Sequence, residues 1–111
     1  MEKVIVINGD KMGQGDEKLG GRLMANFLKT LLNAEKKPQM VVLYNSGVKL
    51  AAKDSPVLET LQSLENLGVA IICCATCVNF YGLVDLIQAG RITNMAEIVK
   101  VLTEAENIVT L

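Results

Sequence analysis

The sequence predicts an α/β fold, a small doubly wound and mostly parallel sheet with helices on both faces. Three observations carry that expectation. Short β-branched runs alternate with longer segments of helical periodicity. The buried strand runs show no polar alternation, as strands covered on both faces do not. No two alternating runs are joined by an Asn-Gly or Asp-Gly turn that would close a hairpin, so the connections are crossovers.

The first run is "KVIVI" (3–7), closed by Asn8-Gly9-Asp10. A glycine-containing loop leads to Asp16, a good N-cap. From there Leu19, Leu23, Met24, Phe27, Leu28, Leu31 and Leu32 recur at helical spacing, with Glu17, Lys18, Arg22, Asn26 and Lys29 between them. After Lys36-Lys37-Pro38 the run "MVVLY" (40–44) predicts a second strand ending in Asn45-Ser46-Gly47. Ser55-Pro56 offers an N-cap and a first-turn proline to a helix carrying Val57, Leu58, Leu61, Leu64 and Leu67, and Gly68 ends it. "VAIIC" (69–73) predicts a third strand, leading into a loop with Cys74 and Cys77 and a helix reaching about Ala89-Gly90. A fourth helix starts near Asn94 with Met95, Ile98, Val99 and Leu102 inward, and "NIVTL" (107–111) is the last strand.

At 111 residues the chain fits a single domain, 1–111, with no linker, repeat or low-complexity tract. No apolar run approaches the ~18 residues a membrane span needs, and Met1-Glu2-Lys3 opens no signal peptide, so the expectation is a cytoplasmic protein without a membrane role. Eleven basic residues face twelve acidic ones, and the four aromatic residues are not interleaved with a basic stripe, which argues against nucleic acid as a partner. Half of the residues are hydrophobic against 21% charged, more apolar surface than a small monomer usually leaves, which points to a homo-oligomer.

The absence of histidine removes Ser-His and Cys-His catalytic pairs and every histidine-containing zinc site. Three cysteines cannot form a four-thiolate metal site, and their odd number argues against a disulfide framework. No metal and no cofactor is called for. Thiol chemistry remains. Cys73 falls inside the predicted strand and reads as core. Cys74 and Cys77 form a C-x-x-C where strand gives way to helix, where the positive end of a helix dipole favours thiolate; a buried pair and half a metal site are the plainer alternatives.

The remaining motifs are weaker. "GDKMGQGDEKLGG" (9–21) lies between strand and helix, where free N–H groups can cradle an anion, but Lys18 and Gly21-Arg22 break the dinucleotide and P-loop patterns. A glycine turn capped by Asp16 explains it equally. Gly20 and Gly21 permit close helix–sheet packing. Asn45-Ser46-Gly47 reads as a strand-ending turn. Asn94 with Glu97 matches an N-cap and its capping-box partner. The polar stretches Asn8 to Gly15, Asn45 to Gly47 and Cys74 to Cys77 each follow the carboxyl end of a predicted strand, where ligands of open parallel sheets bind.

Four stretches in order, "MGQGDEKLG" (12–20), "LYNSGVKL" (43–50), "CATCVNFYGL" (74–83) and "ITNMAEIV" (92–99), resemble the DsrE/DsrF-like proteins over essentially the whole chain. The likeness is greatest to the sulfurtransferase-like domain of the YedF type, associated with selenium metabolism. The resemblance implies a DsrE-type α/β sandwich of flavodoxin-like topology, a cytoplasmic homo-oligomer, and sulfur relay or selenium handling through a cysteine persulfide, with thiol proteins as donor and acceptor. The position that looks equivalent to the family's acceptor is Cys74, with Cys77 as the YedF-type second thiol, and Ala75 stands where glycine is usual. The accompanying substrate-binding set is Gly13, Gly15, Asn45, Ser46, Gly47 and Asn94. The alternative function is a non-catalytic module binding a small anion or a partner, its cysteines merely redox-sensitive.

Overall fold

Five parallel strands in the order β4-β3-β2-β1-β5 form the centre of the computed structural model, which describes residues 2–111. The chain runs β1 (Lys3–Ile7), α1 (Glu17–Leu32), β2 (Met40–Leu43), a 3-10 helix (Asn45–Ala51), α2 (Leu58–Asn66) and β3 (Ala70–Cys74). It continues through α3 (Ala75–Phe80), β4 (Arg91–Thr93), α4 (Met95–Glu104) and β5 (Asn107–Thr110). Every pairing is parallel, with Val4 opposite Met40 and Ile108, Met40 opposite Ala70, and Ile72 opposite Arg91. The α/β fold class expected from the sequence is the one observed.

The alternation of side chains along each strand sorts the core into two layers. Ile5, Ile7, Val41, Leu43, Ile71 and Cys73 face one side, against Met24 and Leu28 of α1 and Leu61 and Leu64 of α2. Val4, Val6, Val42, Ile72 and Cys74 face the other, against Ile98 and Val101 of α4. Truncating a fully buried residue such as Leu28 to alanine costs about 2–5 kcal/mol.

Several local expectations are revised. The helix after the thiols is only six residues long; residues 81–90 turn back and deliver a short edge strand, β4, that no sequence run announced. Its three residues are held by pairing with β3 across Ile72–Cys74. α2 begins at Leu58 instead of at Pro56, and the Ser55 hydroxyl, expected to cap it, accepts the Val57 N–H in the turn before it. α4 buries Ile98 and Val101, while Met95 and Val99 stand exposed, because the sheet beneath covers only the centre of the apolar stripe. Gly20 admits the loop, not the sheet: a Cβ there would meet the Lys11 Cβ at 2.9 Å. β5 is an edge strand with Ile108 and Val109 exposed, not a buried one.

Candidate functional site

A sheet of parallel strands brings all its carboxyl ends to one edge, and the loops expected to matter do gather there. The strand order reverses between β1 and β5. Beyond those two strands lies a cavity of about 560 Å³, lined by Asn8, Asp10, Gln14, Glu17, Ser46 and the loop glycines Gly13 and Gly15. Gly13 and Gly15 have φ of 80° and 144°, so the loop needs glycine for its own turn. Part of its hydrogen-bonding capacity is engaged within the loop and with Ser46. The Asp16 carboxylate accepts the Leu19 N–H at 2.9 Å, the Ser46 hydroxyl accepts the Asp10 N–H at 3.2 Å, and Lys11 pairs with Asp10. Asp10, Asp16 and Glu17 stand against the lone Lys11 in this lining, so an anion finds no complementary charge.

A second, smaller crevice of about 250 Å³ opens beside α3, lined by Asn45, Thr76, Cys77, Phe80 and Tyr81. It exists because α3 starts directly from β3 without a loop: Cys74 is at once the last strand residue and the N-cap of α3. The side chain of Cys74 therefore follows the strand's alternation into the layer under α4, where it is 1% exposed. Its expected place, in an accessible loop, is not where the structure puts it. Cys77, in the first turn of α3, is the half-buried thiol that reaches the crevice.

Asn45 organises this crevice. It takes a left-handed conformation, φ 52°, which asparagine tolerates and most residues resist, and this turns its backbone N–H onto the Cys77 Sγ at 3.0 Å. Its side-chain Oδ1 accepts the Ser46 N–H at 2.8 Å and the Tyr81 hydroxyl at 3.3 Å. The Lys49 ammonium sits 4.5 Å from the centre of the Tyr81 ring, and Phe80 meets that ring edge to face at 5.1 Å. A sulfur held by an N–H on one side and open to an apolar crevice on the other can accept a further atom without the backbone moving.

Burial pushes the Cys77 thiol above its ordinary value, the Asn45 N–H pulls it back in part, and the neighbouring Cys74 thiol raises it further. At Cys77 burial thus works against the thiolate-favouring dipole expected at the start of α3, a helix of only six residues. Cys73 lies on the opposite face of β3, fully buried, and desolvation pushes its thiol up to about 12. It is core, as expected.

The other candidate residues divide. Gly47 lines neither cavity; a Cβ there would fall on the carbonyl oxygen of Ile7, so its role is to let the 3-10 helix pass against β1. Asn94 caps α4, its Oδ1 accepting the Glu97 N–H at 3.0 Å. The expected capping box is half made: the Glu97 carboxylate turns instead to Arg91 and Thr93. Sequence reasoning missed Phe80 and Tyr81 as crevice walls. The available signal was two of the chain's four aromatic residues lying three and four positions after Cys77, one helical turn on. Among the described residues no group of three or more Cys, Asp or Glu side chains is arranged to hold a metal ion.

Solved structures share this architecture. MTH1491 from Methanobacterium thermoautotrophicum, described as a protein of unknown function, is 23% identical with a TM-score of 0.66, over 96% of this chain and 97% of its own. The ychN protein of E. coli is 19% identical with a TM-score of 0.73, over the full length of both. BT1422 from Bacteroides thetaiotaomicron, a conserved protein of unknown function, is 17% identical with a TM-score of 0.68, over 98% and 94%. At these identities the likeness shows the fold alone. A comparison with the curated proteins finds no match. The DsrE/DsrF-like family model matches residues 2–111, and with it comes a suggested role in sulfur relay, in which such proteins work with partner proteins. By that match over the whole described chain, the protein belongs to the DsrE/DsrF-like family.

Proposed function

We propose that the chain takes up sulfane sulfur as a cysteine persulfide and passes it between thiol-bearing donor and acceptor proteins, with Cys77 as the entry point and Cys74 behind it. The observation that supports this most is the Cys77 sulfur, open to the crevice and held by the Asn45 N–H at 3.0 Å. It reverses the roles expected from the resemblance, since a donor's persulfide cannot reach a sulfur as enclosed as that of Cys74. Attack needs thiolate; the raised Cys77 thiol supplies little near neutral pH, but that little is a strong nucleophile, so exchange is slow and selective. Selenium, which the YedF-type likeness implies, would enter by the same displacement at the same sulfur.

A homo-oligomer belongs to this reading. Met95 and Val99 on α4 and Ile108 and Val109 on β5 are exposed apolar residues of the kind that association covers. Three free thiols suit a reducing compartment such as the cytoplasm, and the chain is read as one domain over 1–111. No helix among the described residues is long and apolar enough to cross a membrane. The test is mass spectrometry after incubation with glutathione persulfide: Cys77 should gain one sulfur atom when Cys74 is replaced by serine, and Cys77→Ser should gain none. Absence of any adduct would favour the second reading, a binding module built on the polar cavity beyond β1 and β5.

A further inference from the structure

The two thiols of the C-x-x-C stand on opposite sides of one boundary. Cys74 closes β3 from within the core, 1% exposed, and Cys77 reaches the crevice one helical turn later. Cys77 packs against the core layer that holds the Cys74 side chain. Three residues of helix advance ~4.5 Å, inside the ~4.4–6.8 Å between Cα atoms that a disulfide spans.

Displacement at sulfur is in line: the attacking sulfur arrives opposite the departing one. With an outer sulfur on Cys77 projecting into the crevice, Cys74 lies on the core side of Cys77 Sγ, placed to attack that inner sulfur. Attack on the outer sulfur would instead carry it into the packed layer among Ile72, Ile98 and Val101. Cys73 cannot compete, because its side chain lies on the other face of the sheet.

We propose that this pair discharges a persulfide internally, a hydrosulfide-releasing activity added to uptake. The Cys74 sulfur bonds to Cys77 Sγ as the bond from Cys77 Sγ to the outer sulfur breaks. The Cys74 proton passes to the departing sulfur, so that Cys77–S–SH and Cys74–SH become a Cys74–Cys77 disulfide and hydrogen sulfide. The sulfane sulfur is reduced to sulfide while the two thiols are oxidised to disulfide, and an external dithiol returns the pair to its starting state. The small neutral product leaves through a crevice walled by Phe80 and Tyr81. The activity rests on the reading that Cys77 takes up sulfane sulfur, and it sets how long the protein can carry its load before an acceptor arrives.

A single turnover with glutathione persulfide, without dithiol, tests it through intact mass and released sulfide. The native chain should pass through a form one sulfur heavier to a form two hydrogens lighter, releasing one sulfide per disulfide formed. Cys74→Ser should stop at the heavier form and release none; Cys73→Ser should behave as the native chain. If the native chain stays one sulfur heavier and releases no sulfide, internal discharge is overturned while uptake stands, a result that needs no variant to fold. If neither the native chain nor Cys74→Ser gains sulfur and no sulfide appears, uptake and discharge fall together.

Discussion

The cavity beyond β1 and β5 measures about 560 Å³ and is mostly polar, whereas the crevice beside α3 measures about 250 Å³ and is walled by Phe80 and Tyr81. They share a wall: Ser46 faces the first and Asn45, its neighbour in the chain, faces the second. The larger space sits where the strand order reverses, the usual place for a ligand in such sheets. Yet its lining sets Asp10, Asp16 and Glu17 against a single Lys11 that is already paired with Asp10. At the crevice one N–H is turned by a left-handed Asn45 onto the Cys77 sulfur. Topology provides space, but chemistry needs a reactive atom together with a donor aimed at it.

The largest effect expected is the one that separates the two spaces outright. Cys77→Ser should abolish persulfide uptake, while Gln14→Ala in the larger cavity should leave its rate unchanged. Loss of uptake in Gln14→Ala, with Cys77→Ser still loading, would move the site to the switch point.

Next in size are substitutions at two glycines, Gly47 in the packing against β1 and Gly13 in the loop of the larger cavity. In Gly47→Ala the new methyl meets the Ile7 carbonyl, and backbone must shift, so urea unfolding should show a loss of about 2–3 kcal/mol. Gly13 has φ 80° and open space around its Cβ position, so Gly13→Ala should lose only about 1 kcal/mol, from conformation alone. Equal losses would mean that the packing of Gly47 against Ile7 is no tighter than the loop at Gly13.

The thiols give a smaller, graded effect. Because Cys77 is raised from its ordinary 9.0, its alkylation by iodoacetamide should still accelerate above pH 9, while Cys73, pushed up to about 12, stays unmodified in the folded protein. Asn45→Ala strains the left-handed turn that aims the N–H, and should move the Cys77 profile to higher pH by a few tenths of a unit, on the order of a weak hydrogen bond lost. A Cys77 profile that levels off below pH 9 would show that the N–H outweighs burial.

The smallest effect lies away from both spaces. Arg91 first, and then Thr93, hold the Glu97 carboxyl at about 2 against an ordinary 4.5. A depressed folded value stabilises the fold fully above pH 4.5, and that contribution disappears as the pH falls through about 2. Glu97→Gln should flatten the acid limb of stability in that window and leave uptake by Cys77 untouched. Unchanged acid unfolding would show the pair to be too exposed to matter.

Much of the architecture was open to reading along the chain, because it depends on local periodicity. The apolar runs at 3–7, 40–44 and 69–73, the Asp16 cap of α1 and the helical stripe through Met24 and Leu28 each carry their signal within a few residues. The C-x-x-C and Asn45 were likewise visible as residues worth attention. Which thiol faces outward was not, since it depends on where β3 stops. Cys74 belongs to the strand because it pairs with Thr93 of β4, a strand of three residues that has no periodicity of its own and forms only once residues 81–90 fold back. One residue more of strand sends the Cys74 side chain into the core and leaves the opening to Cys77, for successive side chains of a strand point to opposite faces. The contact between Asn45 and Cys77 spans 32 positions of sequence and exists only because β2 and β3 are neighbours whose ends lie at the same edge.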